Sequence, residues 1–137
     1  MKYLPCIFGG LLGAMFIFSG VMGINYLSQP LPPPAGPELT LADHFTAAFF
    51  PSGYMHFVKI CEILGGILLA IPKTRNFGLL VLGPILLNII AYHVFVMKGE
   101  GLFKPPVIPI MGVVALYLLW VGRKQFAGLC NCRSNSN

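Results

Sequence analysis

Charged residues are scarce in this chain. Of its 137 residues, only 9% are Asp, Glu, Lys or Arg, whereas a soluble domain carries about a quarter. Hydrophobic residues make up 56% of the sequence, and a chain of this length has too little interior to hide so much apolar surface from water. The composition argues against a soluble enzyme and a disordered linker, and it indicates a protein whose main solvent is lipid.

Basic runs and a disulfide framework are also missing. The nine Lys and Arg residues give a net charge of +5 but are scattered along the chain, so no nucleic-acid partner is predicted. The four cysteines follow no disulfide spacing, and two of them lie inside apolar runs; they are Cys6, Cys61, Cys130 and Cys132.

Long apolar runs fill most of the sequence. A transmembrane helix needs roughly 20 apolar residues, and four segments approach or exceed that length, at about 3–27, 54–71, 77–97 and 107–121. The first is longer than the apolar region of a signal peptide, so a retained helix is expected. We predict an all-α membrane protein, a four-transmembrane-helix bundle that forms a single domain over residues 1–128. A polar cytoplasmic tail is predicted over 129–137.

The basic residues beside these spans predict their orientation. If the helices alternate, six basic residues fall on one side of the membrane and two, Lys98 and Lys104, on the other. Basic flanks face the cytoplasm, so both termini are expected there, in a bacterial inner (plasma) membrane. The six are Lys2, Lys73, Arg75, Arg123, Lys124 and Arg133.

A short helix is predicted between the first two spans, on the outer side. Thr40 can cap its start, and Asp43 occupies the acidic position of a capping box. One face of this helix is apolar, which favours a position in the membrane interface; that face carries Leu41, Phe45, Ala48 and Phe49.

Small residues recur on the predicted spans. In lipid, helices associate through close backbone approach, which glycine permits. Gly9 and Gly13 form a small-xxx-small pattern on the first span, Gly65 and Gly66 lie on the second, and Gly78 is on the third. These glycines are predicted to be packing positions.

Polar residues inside the spans are the main functional signal, because intramembrane charges are rare and mark function or pairing. The second span carries His56, Lys59 and Glu62 as successive i,i+3 neighbours. Counting about 1.5 Å per residue, Lys59 and Glu62 lie in the outer half of the membrane. The same count places four further polar residues of the other spans in this layer, together with His93; the four are Asn25, Asn88, Tyr92 and Tyr117.

This layer can be interpreted as a site for proton transfer and quinone binding. Burial favours a neutral Glu62 while the Lys59 ammonium favours the carboxylate, and His93 can relay a proton, so these three are the candidate catalytic residues. The candidate quinone-binding residues are Asn25, His56, Asn88, Tyr92 and Tyr117. Two interpretations stay open. The layer is a binding site, or the same polar groups only hold the helices together. No metal site is predicted, since the chain lacks the Glu-x-x-His pairs of a di-metal bundle.

Two motifs give the chain a family resemblance. The run Lys59-Ile-Cys-Glu62-Ile-Leu-Gly65-Gly66 resembles the K-x-x-E-x-x-G-G element of DoxX-like membrane proteins, and residues 83–95, with Pro84, Asn88 and His93, resemble the family's P-x-x-x-N-x-x-x-x-H segment. The resemblance implies a compact four-helix membrane bundle. It also implies a redox association, since the family takes its name from a subunit linked to thiosulfate:quinone oxidoreductase.

Three functional hypotheses follow. The first is a membrane subunit of a quinone- or thiol-linked redox system, with quinone as the expected cofactor and a redox protein or a second copy of the chain as partner. The second is a non-catalytic assembly or stabilising protein whose polar layer only fastens the helices. The third is a small permease or lipid-site protein. The residues leave open whether the chain is catalytic; if it is, an accessory oxidoreductase subunit is expected.

Overall fold

The computed structural model describes residues 3–31, 33, 36–100, 103 and 106–130, with side chains described up to residue 127. Every regular element in these ranges is helical. In chain order the elements are α1 (Leu4–Leu27), α2 (Leu41–Phe49), α3 (Tyr54–Ala70), α4 (Arg75–Ala91), a π-helical turn (Tyr92–Val96) and α5 (Val107–Cys130). The predicted tail at 129–137 lies almost entirely outside the described residues, and Cys132 with it.

Three helical segments are long and apolar enough to cross a membrane: Leu4–Leu27, Arg75–Val96 and Val107–Ala127. The number rises to four if α2 and α3, which meet at an 84° bend, form one span together. The helices therefore indicate a membrane protein. The fourth predicted span ended at residue 121, but α5 continues to Cys130, because the basic residues of its last turns are compatible with a helix that extends beyond lipid.

The α1–α3 interface is built on glycine. A Cβ atom added at Gly13 would lie 2.6 Å from the carbonyl oxygen of Gly66, and one added at Gly66 would lie 2.7 Å from the oxygen of Gly13. These distances leave no room for a side chain, so the two backbones approach as closely as the small-residue pattern predicted. Gly78 extends the same packing to α4, because its Cβ would lie 2.5 Å from the backbone nitrogen of Leu69.

Two further helix pairs are in contact: α4 packs on α5, and α5 packs on α1. Large apolar side chains from all four long helices fill the centre; those with almost no exposure include Phe16, Leu69, Leu79, Leu82 and Leu118. Asn76 at the start of α4 donates a hydrogen bond to the Gln125 side chain of α5. The helices run alternately up and down, so Tyr26, Tyr54 and Tyr92 share one end of the molecule, called here the α2 end.

The capping box predicted for the short helix is confirmed. The Thr40 Oγ1 accepts from the Asp43 backbone N–H at 3.2 Å, and the Asp43 carboxylate accepts from the Thr40 backbone N–H at 2.8 Å. The Thr40 hydroxyl also donates to this carboxylate at 2.6 Å. These bonds to the charged form hold the pKa of Asp43 below its usual range. Local sequence chemistry therefore fixes where α2 begins.

Candidate functional site

A cavity of about 860 Å³ lies at the α2 end of the molecule, within the size range of small-molecule sites. Residues of α1, α2, α3, α4, the π-helical turn and α5 line it. Most of the lining is apolar, and the polar side chains are few: Ser19, Tyr26, Thr46, Tyr54, Lys59, Glu62, Asn88, Tyr92 and His93. An apolar chamber with a small polar group set is the usual form of a site for a hydrophobic ligand with a polar head.

The Lys59–Glu62 ion pair is the most buried polar feature of this cavity. Lys59 Nζ lies 2.8 Å from Glu62 Oε1 and 3.0 Å from Oε2, and the two side chains are 18% and 1% exposed. Ser19 on α1 donates a third hydrogen bond to Oε2 at 3.1 Å. These three hydrogen bonds, from two donor groups, offset the cost of burying the carboxylate. The pair therefore joins α1 to α3 and neutralises its own charge inside the molecule.

One N–H of this pair has no acceptor among the described residues. An ammonium group carries three N–H bonds, and the Lys59 Nζ directs two of them at Glu62. Lys59 also lines the cavity. Its third N–H is therefore available to an oxygen acceptor in the chamber.

The π-helical turn brings two adjacent side chains to the cavity. The Met97 backbone N–H donates to the Tyr92 carbonyl at 3.1 Å, an i+5 bond that widens the turn, and such turns are frequent at functional sites. Tyr92 and His93 both line the cavity, and their rings meet edge to face at 5.4 Å.

His93 has a defined tautomer in this turn. Its Nδ1 lies 2.8 Å from the Ile89 carbonyl oxygen. Because a carbonyl can only accept, Nδ1 carries a proton. In the neutral ring Nε2 is then a hydrogen-bond acceptor.

Aromatic pairs hold α2 over this end of the cavity. Phe45 contacts Tyr92 with ring centroids 4.9 Å apart, Phe49 contacts Tyr54 at 5.0 Å, and the following Phe50 contacts Tyr26 at 6.1 Å. These partners belong to the π-helical turn, α3 and α1 respectively. The helix therefore covers the chamber by docking on three different elements.

The structure brings five of the eight predicted site residues to the cavity: Lys59, Glu62, Asn88, Tyr92 and His93. Asn88 and Tyr92 line the cavity one helical turn apart. Asn88 is exposed at the rim rather than buried.

His56, Asn25 and Tyr117 are not among the cavity residues. Each i,i+3 step falls about 60° short of a full turn, so His56 lies about 120° around α3 from Glu62. His56 and His93 therefore do not share this chamber. Asn25 is exposed on α1.

Tyr117 was predicted in the same polar layer, and the structure places it elsewhere. Its ring packs edge to face on Phe8 with centroids 5.6 Å apart. Phe8 lies in the second turn of α1, at the end of the molecule opposite α2. Ten residues of helix, about 15 Å, separate Tyr117 from Val107, which puts Tyr117 close to the midplane of the membrane. Counting residues along the helix therefore could not decide in which half of the membrane Tyr117 lies.

Sequence reasoning missed two groups of cavity residues. Ser19 was overlooked as a hydroxyl in an apolar span, although it lies three residues from Phe16 and four from Gly23, on the face that packs inward. The aromatic residues of α2 were predicted only as part of an apolar face in the membrane interface; the structure shows that Phe45 and Phe49 pack on tyrosines of other elements. No cluster of three or more His, Cys, Asp or Glu side chains suited to a metal ion occurs within the described ranges.

Comparisons with known proteins identify one similar sequence. A protein of Bacillus subtilis (strain 168), described as the uncharacterized protein YwoB, is 34% identical over 97 residues, which are 67% of this chain. The match spans 60% of that protein's length. No family model matches the chain, and no solved structure matches it. The resemblance to DoxX-like proteins stays a prediction.

Proposed function

We propose that this chain is a membrane subunit of a quinone- or thiol-linked redox system, and that it binds a quinone-like amphiphile in the cavity at its α2 end. One observation carries the proposal: an apolar chamber of about 860 Å³ holds a charge-neutral Lys59–Glu62 pair and a histidine. Isolated charges are costly in a membrane interior. A neutral pair with one free N–H suits a carbonyl oxygen on an otherwise apolar molecule.

In the membrane arrangement that we propose, α1, α3, α4 and α5 are four spans and α2 lies in the interface. With 17 residues, α3 covers about 26 Å, close to the thickness of the hydrocarbon layer. Six basic residues against two favour a cytoplasmic location for both termini, in a bacterial inner membrane. The cavity then lies in the outer half of the bilayer.

The ligand headgroup is proposed to bind between Lys59, Asn88 and His93. The free Lys59 N–H and the Asn88 amide can donate to a quinone carbonyl. Reduction of a quinone to its quinol consumes two electrons and two protons. A partner oxidoreductase, itself oxidised, supplies the electrons, while Lys59, Glu62 and His93 form the proton relay; the chain is then an accessory subunit rather than a complete enzyme.

Ligand extraction tests the proposal directly. Protein purified in mild detergent is examined by absorption spectroscopy and its extract by mass spectrometry, with Asn88→Ala as the site variant and Asn25→Ala as the matched control outside the cavity. Wild type and the control should carry a quinone that the folded Asn88→Ala protein loses. Wild type that carries only bulk lipid and fails to bind added quinone would overturn the proposal.

A second candidate function has an observation of its own. Because Ser19 and Glu62 belong to different helices, the polar group set could serve only to fasten α1 to α3, as in a non-catalytic assembly protein. Glu62→Gln alone leaves Lys59 buried without its partner, which costs about 3–5 kcal/mol. The double variant Lys59→Met with Glu62→Leu removes both charges and is expected to fold, since apolar replacement of a buried pair is often neutral or stabilising. Quinone binding retained by this double variant would show that the ion pair only fastens the helices, and a folded wild-type protein that binds no quinone would favour the assembly role.

A further inference from the structure

We infer that the ligand reaches this cavity sideways from the lipid, through a slot between α1 and α5, and that its apolar tail remains in the slot when the headgroup is bound. The inference rests on the proposed function, since it takes the occupant to be a membrane amphiphile. It adds the route of access and the location of the tail.

The α1 side of the cavity has an inner row and an outer row of side chains. Phe16 and Ser19 belong to the inner row, and Phe16 is 1% exposed. Met15, Phe18 and Tyr26 line the same cavity from the outer surface of the helix, and Phe18 is 68% exposed. The chamber therefore reaches the molecular surface along α1. From Met15 to Tyr26 this open rim is about 16 Å long.

The first turns of α5 form the facing rim. Val107, Ile108 and Met111 line the cavity, and Val107 is 39% exposed. The aromatic contact between α1 and α5 lies at the opposite end of the molecule, where Phe8 meets Tyr117. In the half that holds the cavity, the chamber itself separates the two helices.

The α1–α3 and α3–α4 sides of the chamber are closed by close helix packing. Gly20 on α1 lies so near α3 that its Cβ would be 3.0 Å from the Lys59 carbonyl oxygen. A Cβ on Gly65 of α3 would lie 2.7 Å from the Leu82 side chain of α4. At the α2 end, Phe45 and its aromatic neighbours dock on three elements. Asn88 marks an exposed edge of the cavity on α4, but this edge is polar. Of the exposed edges formed by described residues, the apolar one between α1 and α5 therefore suits an apolar tail.

The apolar side chains of the rim favour a ligand with an apolar tail. Met15, Phe18 and Val107 are apolar, so a water-soluble ligand gains nothing from passing between them, whereas each buried CH₂ of an alkyl chain contributes about 0.8 kcal/mol. The polar groups Lys59 and Glu62 lie inside, beyond the inner row of α1. A molecule with a neutral oxygen-bearing head and a long alkyl or isoprenoid tail matches this order of surfaces.

Photocrosslinking in lipid vesicles tests the route. The photoreactive residue p-benzoylphenylalanine is placed at Phe18 in the slot, at Val21 as an exposed control on α1 outside it, or at Phe45 in the cover. The probe is a benzoquinone with a tritiated decyl tail, and the competitor is an unlabelled decyl-benzoquinone. Competable labelling is expected at position 18, several times stronger than at 21. Met15 offers a second slot position if the variant at Phe18 does not fold.

The outcomes separate the two proposals. Wild-type protein that shows no saturable binding of the probe overturns the proposed function, and the slot with it. Saturable binding with labelling at position 45 rather than 18 overturns the slot alone, because the tail then leaves through the α2 end. Equal labelling at 18 and 21 shows a tail in bulk lipid, and it also contradicts the inference.

Discussion

Glycine-to-alanine substitutions should show that backbone contact holds α1 against α3. The perturbing change is Gly13→Ala, whose new Cβ would meet the Gly66 carbonyl oxygen at 2.6 Å. The matched change is Gly10→Ala on the same helix, which has no neighbouring atom within 4 Å of the added Cβ. Both variants carry the same chemical change, so their difference isolates the contact.

The size of the effect follows from that geometry. Ordinary van der Waals contacts begin near 3.4 Å, so the Gly13 Cβ is about 0.8 Å too close, and its neighbour is rigid backbone. If two packed surfaces separate by about 0.5–1 Å, each atom–atom contact between them loses a quarter to a half of its van der Waals energy. Since the helices must part to admit the methyl group, Gly13→Ala should cost about 1–3 kcal/mol. Gly10→Ala should be neutral or gain up to about 1 kcal/mol through helix propensity.

Equilibrium unfolding in mixed micelles, driven by increasing dodecyl sulfate, measures this difference. A second pair provides replication: Gly78→Ala on α4 meets the Leu69 backbone nitrogen at 2.5 Å, whereas Gly112→Ala on α5 meets only the end of the Ile90 side chain, at 3.8 Å. Both close-contact variants should unfold at lower dodecyl sulfate than the Gly10→Ala and Gly112→Ala controls. If Gly13→Ala and Gly10→Ala unfold together, the close approach of these helices is refuted.

Three further predictions concern single side chains. Ser19→Ala should destabilise the protein by about 1.5–3 kcal/mol, because the Glu62 carboxylate loses one of its donors, and the same unfolding titration measures it. Tyr117→Leu should lower stability by about 1 kcal/mol through loss of an aromatic pair while quinone retention stays at the wild-type level. Thr40→Ala should raise the pKa of Asp43 toward its ordinary value, seen as a higher midpoint in a carboxyl NMR titration. Because that pKa is lowered in the folded protein, the capping box stabilises α2 above pH 3.8 and loses this contribution as the pH falls further.

The secondary structure could be predicted from the sequence because its causes are local. Uncharged runs long enough to span lipid became α1, α4 and α5, and the Thr40–Asp43 capping box starts α2 where the spacing placed it. The prediction that the glycines are packing positions is also explained locally, because a residue without a side chain lets a neighbouring backbone approach closely.

The sequence alone determined an all-helical, membrane-compatible chain and the i,i+3 pairing of Lys59 with Glu62, because hydropathy, capping and neighbours on one helix are set by nearby residues. Tertiary structure decided which polar groups meet. Helix rotation takes His56 away from Glu62, the π-helical turn brings His93 to the cavity, and a hydroxyl from α1 completes the ion pair. These arrangements depend on how separate helices turn toward one another, which no local pattern specifies.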